Sequence, residues 1–464
     1  MPELWKRAVV IPLYKKGDPT DASNFRPITN IPVICKIVEK VVHRQVSSFL
    51  NRNNLCGTEQ HGFTENRSTS TALLTVTDHI LRGMDNSEVT LLALIDLSKG
   101  FDVIDHFTLL TKIEQLQISS GWFRSYLEGH KQQVRVGNVL SSPRNINIGT
   151  FQGACLGPLL FNIATHDLAL HLPKSINGFN VIMTRFADDT QIGVTGPRAR
   201  LGELQVALGQ LLEIMGIWFA QNGMKVNAAK TEMILIGDRR QLQYVGEGHV
   251  NVHFLGETLQ PAKCVRNLGV QMDCNLSWEP HVAHVVSKCT GILIGLASAR
   301  HLLPRHLLPR IVDALVLSHV RYCIQVYGSA NTGQIAKLQK VINFAARVVS
   351  GRRKYDHISD CIATLGWLPA QKLVTYSDLC LLHKILLTGQ PNSISQYLHV
   401  NRDRTARNTR TSNQLSLPCV RNNYGKRAFI YRSVTMYNKL VIAKSADELP
   451  MSRFKKYIKL TGLQ

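Results

Sequence analysis

Three aspartates carry the chemistry this sequence is equipped to do. Asp96 closes an apolar run, Val89–Leu97 (VTLLALIDL), and Asp188 and Asp189 stand together between two further runs, Phe179–Phe186 and Thr190–Val194. Carboxylates brought close repel one another, which is costly unless a cation neutralises them. Oxygen ligands with no histidine pattern beside them favour Mg²⁺ over zinc. Two such ions held by acids from two strands make the apparatus of nucleotidyl transfer: one activates a 3′-hydroxyl, the other stabilises leaving pyrophosphate. An isolated Asp-Asp pair would be simply a turn former. What argues for catalysis here is the second acid-ended strand upstream.

The elements that must position these acids can be read from periodicity. Val89–Leu97 has the length and the sharp polar end of a buried strand. Asp105–Gln117 carries apolar residues at helical spacing, and Leu156–Leu172 reads as another helix. Phe179–Phe186 and Thr190–Val194 read as strands flanking the turn Ala187-Asp188-Asp189. From Leu201 to Trp218, apolar residues step by three or four over five turns, an amphipathic helix. Thr231–Ile236 (TEMILI) closes the series as a strand. Strand, helices, strand, strand, helix, strand is the split βαβ, ferredoxin-like pattern, which sets the end of the first strand beside the turn joining the second and third.

Composition agrees with a nucleic-acid partner. The 464 residues include 54 Lys+Arg and 32 Asp+Glu, a formal net charge of +22. A surplus this large on a folded chain implies a polyanion. Half of it lies in 401–464, which holds 14 basic and 3 acidic residues. That stretch also contains Leu417, Phe429, Tyr431, Tyr437 and Phe454, which could pack or stack on bases. The hydrophobic fraction of 44% excludes wholesale disorder. No uninterrupted apolar run approaches the ~20 residues of a membrane span, and no secretion signal is evident. The ten cysteines are scattered with no CxxC pair, so reduced thiols in an intracellular protein are expected. The duplicated HLLPR at His301–Arg305 and His306–Arg310 is too short to be a repeat architecture.

Motifs in a fixed order then make the sequence recognisable. They are Leu13–Asp18 (LYKKGD), Asn24–Ile28 (NFRPI), Gln60–Phe63 (QHGF) with Arg67–Thr69 (RST), and Ala93–Asp102 (ALIDLSKGFD). Gln152-Gly153 with Leu156–Phe161 (LGPLLF), Phe186–Asp189 (FADD), Asn227-x-x-Lys230-Thr-Glu232 and Asn267–Val270 (NLGV) follow. Together they resemble the reverse transcriptase of non-LTR, LINE-type retrotransposons, most like the jockey and CR1 groups, over almost the whole chain. The resemblance implies an α+β right-hand polymerase: fingers, a ferredoxin-like palm, a helical thumb and a basic, mostly helical C-terminal region. It suggests fingers and palm over residues 1–238, a motif-E-like segment and thumb over 239–365, and the C-terminal region over 366–464. The implied activity is RNA-directed DNA polymerisation from a DNA 3′-hydroxyl. The implied partners are an RNA template, a DNA primer or target and deoxynucleoside triphosphates, with two Mg²⁺ ions (Mn²⁺ able to substitute), no membrane, and action in the nucleus, the cytoplasm or both. Oligomeric state is not indicated.

The same resemblance assigns roles. Asp96 and Asp188 become principal metal ligands and Asp189 a supporting acid. Phe101 matches the steric gate that excludes a ribose 2′-hydroxyl. Lys16 and Arg26 match the basic finger positions that grip a triphosphate, with Lys15 an equal candidate for Lys16. Gln152 and Gly153 match the loop at the nascent base pair. Lys230 matches the lysine that protonates pyrophosphate, with an ordinary strand-edge lysine as its plain alternative. His61 and His106, inside motifs, read as structural histidines. Several positions depart from the pattern: Gly100 stands where Ala is usual, Phe151 for Pro, Ala154 for Ser, Phe186 for Tyr, and Tyr437 for Trp before Asn438. Gly100 and Phe151 border the nucleotide pocket, so a non-catalytic nucleic-acid-binding remnant is the competing reading. An RNA-templated RNA polymerase is disfavoured by Phe101 and by FADD in place of a Gly-Asp-Asp turn. Intact relatives carry an endonuclease domain ahead of the polymerase. This sequence opens at the fingers, so a chain unable to nick its own target is expected.

Past Val270 the chain reads as helix-rich and basic. Leu302, Leu307, Ile311, Leu315 and Val316 punctuate one stretch, and Leu338, Val341, Ile342, Ala345 and Val348 another. Leu365–Pro369 (LGWLP) and the arginine-rich Arg402–Arg410 resemble the C-terminal region of the same family.

Overall fold

The computed structural model describes residues 1–53, 55, 57–243, 250–401, 414–441 and 449–459. Near the N-terminus, strands β1 (Arg7–Tyr14) and β2 (Phe25–Asn30) form an antiparallel pair in which Leu13 faces Arg26. The loop between them is tied by its own polar residues. Asp18 accepts from both the amide and hydroxyl of Thr20, Asp21 does the same for Ser23, and Tyr14 donates to the Gly17 carbonyl at 2.6 Å.

The palm sheet is built on β3 (Glu88–Ile95). A later strand, β4 (Lys131–Val136), runs parallel to β1 in the fingers sheet. Then come β5 (Phe179–Phe186), β6 (Asp189–Pro197) and β7 (Glu232–Ile236). The palm order is β7-β3-β6-β5, with each neighbouring pair antiparallel. This is the ferredoxin-like order read from the sequence. Alternation along β3 divides two cores. Leu91, Ala93 and Ile95 face one, and Leu92 faces the other. Strand β7 alternates in the same way, with Met233 and Leu235 against Ile234 and Ile236. A strand covered on both faces has no polar side, which is why VTLLALI is continuously apolar.

Helices fill both faces. α1 (Val33–Arg52) belongs to the fingers. α2 (Thr69–Asp85) lies on one face of the palm, and its first turn is closed by a reciprocal capping box between Ser68 and Thr71. The other face takes α3 (His106–Gln115), α4 (Gly157–Ala164) and α5 (Leu201–Gln221). In α5 the expected stripe is buried, from Leu204 through Leu208, Leu211, Leu212 and Met215 to Trp218. Each such side chain contributes ~1.5–3 kcal/mol when fully removed from water. The helix expected over Leu156–Leu172 is shorter. It stops at Ala164, and a 3₁₀ turn follows at Leu168–His171. The carbonyls that would continue it are occupied: Ala164 accepts from Lys112 Nζ and Thr165 from Arg185, both at 2.7 Å.

Beyond a hairpin of β8 (Cys264–Asn267) and β9 (Val270–Asp273), the chain is helical. α6 (Glu279–Ala299) packs on α7 (Thr332–Ser350), where Leu338, Val341, Ile342, Ala345 and Val348 are buried as their spacing implies. The Leu302–Val316 stretch differs from its reading. Pro304 separates a 3₁₀ turn at Arg300–Leu302 from a helix that opens at Leu308 with Pro309 in its first turn and continues to Arg321 through a π-helical stretch at Asp313–Leu317; Leu302, Leu307 and Leu315 remain exposed while Val316 is buried. By length and mean hydropathy the segment Glu279–Leu302 passes as a membrane span, but His281, His284, Ser287 and Lys288 interrupt its apolar run, in keeping with the sequence reading. Its Val282, Val285, Cys289 and Leu293 are spent in the core beside α7, and Lys288 sits midway along it. The nine cysteines among the described residues are free.

The C-terminal region is docked rather than trailing. α8 (Ala370–Thr388) and α9 (Phe429–Val441) join the core that contains α2. The aromatic residues expected to be available for bases are mostly consumed by packing. Phe429, Tyr437 and Phe454 are buried, with Phe454 stacked on His383 at 3.7 Å; Tyr431 is half-buried and Leu417 exposed. Arg402–Arg410 lies outside the described residues. Two acids of α2 hold this region through its backbone. Asp78 accepts from the amides of Phe429 and Ile430 at 2.8 and 3.1 Å, and Asp85 from those of Arg421 and Asn422 at 2.9 and 2.7 Å. Burial raises the Asp78 carboxyl above its ordinary range, and those two amides act against the rise. Gly425 has no side chain because a Cβ there would come within 2.7 Å of the Asp85 carboxyl carbon.

Asp85→Ala therefore strands two amides under the C-terminal region. It should lower unfolding free energy by roughly 2–4 kcal/mol, with Asp85→Asn costing less, as read by urea denaturation.

Candidate active site

The β5–β6 hairpin turns through Ala187 and Asp188, with Phe186 paired to Asp189 across its mouth. Ala187 sits in the left-handed region at φ 58°, unusual for a residue with a side chain. The segment Gln60–Gly62 holds it there. The Gln60 side-chain carbonyl accepts from the amides of Ala187 (3.0 Å) and Gly62 (2.8 Å), and its NH₂ reaches the Ala187 carbonyl at 3.3 Å. On the flank, the Arg185 amide donates to the Glu59 carbonyl and the His61 amide to the Arg185 carbonyl, each at 2.8 Å. Gly62 lies so close that a Cβ would collide with the Ala187 amide nitrogen.

The QHGF and RST motifs thus form one buttress. Arg67 donates to the carbonyls of Gly57 and Gln60 at 2.6 and 2.7 Å, and His61 Nδ1 pairs with Thr71 Oγ1 at 2.8 Å. Burial, reinforced by the Arg67 charge, pushes His61 down to about 3, so it is a neutral packing group. This agrees with its reading as structural. His106 is likewise structural, pairing with the Gly149 carbonyl at 2.8 Å.

Register brings the three acids to one place. Ile95 pairs with Thr190, so Asp96 continues β3 alongside the start of β6. The Asp96 carbonyl accepts from the Asn227 amide at 2.9 Å, and Ser98 donates to the Lys225 carbonyl at 2.8 Å. The NAAKTE motif thereby pins the strand end that carries Asp96. Burial and the Asp96 charge raise Asp188, while Arg26 and Lys15 pull it back. Burial, then Asp188, then Asp96 push Asp189 up to about 6. Asp189 is exposed on its outer side, so solvent screens part of that repulsion. Among the described residues, no three acidic, histidine or cysteine side chains converge tightly enough to cage an ion by themselves. The negative charge concentrated at the turn fits a divalent cation.

A cleft of about 230 Å³ opens here, lined by Asp96, Asp189, Gln191, Lys230, Arg266 and Asn267 among others. Lys230 thus shares a cavity with two of the acids. Arg266 was not singled out by sequence, and Asn267 appeared only within its motif. Asn267 donates to the buried Gln191 side chain at 2.7 Å, tying the NLGV turn to the palm. Lys15 and Arg26 are the finger cations whose charges reach Asp188, while Lys16 is exposed at the next position. Phe101 stacks on Phe161 at 4.5 Å and meets Phe63 edge-on at 6.2 Å, so its ring is fixed beside the turn. At Gly100 a Cβ would stand 3.3 Å from the Phe161 ring and 3.5 Å from the Asp188 Cβ, a tight but nearly open space. Gln152 differs from its reading in one respect: its NH₂ is bound by both Asp102 oxygens, at 2.8 and 3.0 Å, leaving only its carbonyl to face outward. Gly153 adopts φ 118°, and a Cβ there would meet the Thr29 carbonyl at 2.6 Å; this lets the loop lie against β2. Phe151 packs on His130 at 4.6 Å instead of pointing to the acids.

Residues 14–272 match the family model described as "Reverse transcriptase (RNA-dependent DNA polymerase)". The chain is 27% identical over 362 residues to a Drosophila melanogaster protein named "Probable RNA-directed DNA polymerase from transposon BS", covering 75% of this chain and 39% of that one. It is 25% identical over 366 residues to the "RNA-directed DNA polymerase from mobile element jockey" of the same organism, covering 77% and 39%. The chain therefore spans about two fifths of the length of these curated relatives. Among solved structures, apo telomerase from Candida tropicalis aligns with 85% of this chain and 69% of its own at 10% identity and a TM-score of 0.42.

A raised folded-state carboxyl favours the protonated form. Its contribution to stability is present at low pH and is lost as pH rises through about 6. In chelator, the protein should lose stability across that range, and Asp189→Asn should flatten the loss in thermal melts recorded against pH. Gly62→Ala, by displacing the Ala187 amide, should lower the melting temperature and weaken Mg²⁺ binding measured by calorimetry.

Proposed function

Since the chain belongs to the reverse transcriptase family, we propose that it is the RNA-directed DNA polymerase of a non-LTR retrotransposon, extending a DNA 3′-hydroxyl along an RNA template with deoxynucleoside triphosphates. One observation carries this most directly. Three carboxylates from β3 and the β5–β6 turn stand within each other's field, and the finger cations Lys15 and Arg26 face them. It acts inside the cell, in the nucleus, the cytoplasm or both, where its RNA and DNA meet.

Asp96 and Asp188 would hold the divalent cations, with Asp189 assisting. When bound, those ions neutralise the turn and polarise the oxygens of the attacking and leaving groups. The remaining roles belong to the chain's own residues. Arg26 and Lys15 or Lys16 grip the triphosphate oxygens, Arg26 through its planar fork. Phe101, immobilised by Phe161, sets a floor against which a ribose 2′-hydroxyl would clash. Asp102 orients Gln152, whose carbonyl is then presented toward the nascent base pair, and Gly153 lets the backbone approach it. Lys230 Nζ stands ready to give a proton to a pyrophosphate oxygen.

Primer extension on poly(A) with oligo(dT), dTTP and Mg²⁺ tests the reading. The chain should extend the primer, and Asp188→Asn should lose activity on the order of a hundred-fold or more. Phe101→Ala should raise incorporation of ribonucleotides relative to deoxynucleotides by about tenfold. No extension by folded protein, with Asp188→Asn behaving identically, would leave the binding-only remnant as the better account.

A further inference from the structure

A second basic site lies where the C-terminal ends of α6 and α7 converge. A cavity of about 540 Å³ there is lined by Arg300, Arg347, Arg352 and Lys354 over a floor that includes Phe344 and Val348. None of the palm acids takes part in it, and none of its lining residues is acidic. Arg352 is neutralised by a bidentate pair with Asp360 at 2.6 and 2.5 Å. The other three cations have no carboxylate partner among the described residues. The Arg300 guanidinium lies flat over Gly351, which ends α7 at φ 76° and which any side chain would push off. Arg347 keeps a buried, unpartnered Nε while its other end reaches the Asp356 carbonyl at 3.5 Å. The negative ends of two helices account for one favourable cation apiece. They do not account for three unpaired cations around one cavity.

Beside the cations stands Tyr355, 89% exposed, with Lys354 Nζ 5.4 Å from its ring centroid. An aromatic ring left in water next to a basic cavity is the pairing by which proteins hold unpaired nucleotides: phosphates on the cations, a base on the ring. A duplex would offer its phosphates but keep its bases stacked, leaving Tyr355 without a use. We propose that this cavity binds a single-stranded segment of nucleic acid, with a phosphate between Arg300, Arg347 and Lys354 and a base stacked on Tyr355. The site extends the polymerase reading without depending on it, because it involves none of the residues given catalytic roles.

Photocrosslinking tests it directly. The full chain is irradiated with an RNA of about 20 nucleotides carrying 4-thiouridine, and crosslinked peptides are identified by mass spectrometry. A crosslink within residues 344–355 is expected. Tyr355→Ala should reduce its yield about tenfold, and Arg300→Gln should reduce it several-fold and make it less sensitive to salt. Melting temperatures of both variants serve as the control for folding. No crosslink within 344–355 overturns the proposal, whether or not RNA attaches elsewhere. An equal yield from the same RNA annealed to its complement also overturns it, making the site a duplex surface. Failure of primer extension would bear on the polymerase reading alone.

Discussion

Like charges forced together at the mouth of a β-hairpin govern this molecule. The Asp96 charge makes Asp188 and Asp189 costlier to ionise, and Asp188 does the same to Asp189, so the scaffold must hold these acids in place against their repulsion. It does so with backbone contacts rather than with salt bridges, which would neutralise the charge the site is built to concentrate. Gln60 brackets Ala187 from both sides, Asn227 fastens the carbonyl of Asp96, and Gly62 surrenders its side chain to let the buttress close. Lys15 and Arg26 approach from the fingers, where a triphosphate could intervene, and Lys230 and Arg266 line the cleft.

Helix α2 transmits that support. Its first turn is capped within the same Arg67–Thr71 segment that steadies the buttress, its apolar face completes the palm core, and its last turns receive the C-terminal region through Asp78 and Asp85. Fingers loop, palm sheet and C-terminal helices meet on one element. The core containing α2 gathers side chains from as far apart as Leu73 and Ile458.

The palm was legible in the sequence because its strands obey simple rules. VTLLALI is apolar throughout since both faces are covered, and Leu201–Trp218 repeats at helical spacing since only one face is. The acids could be singled out because charge at the end of an apolar strand is expensive. What was not legible depends on partners distant in the chain. The helix beginning at Leu156 ends early because Lys112 and Arg185 take its carbonyls, and nothing within Leu156–Leu172 announces that. Phe429, Tyr437 and Phe454 read equally well as base-stacking or core residues, and only the docking of α9 on α2 and of Tyr437 and Phe454 against His383 of α8 decides for the core. Arg266 carries no local signal at all; it enters the cleft because β8 happens to end there. The order of motifs conveyed the family, whereas the mutual bracing of QHGF, RST and FADD became visible only in three dimensions.

The buried carboxylates of α2 have a consequence for synthesis. Asp78 and Asp85 lie some 336 to 352 positions ahead of the amides they bind. At ribosomal rates of ~5–20 residues per second, that separation is a delay of roughly 20–70 s. Throughout it, the palm has emerged but the C-terminal side of α2 still shows two unpaired acids and bare apolar surface. The nascent chain must be sheltered for that interval, and a ribosome that stops early releases a palm with this face uncovered.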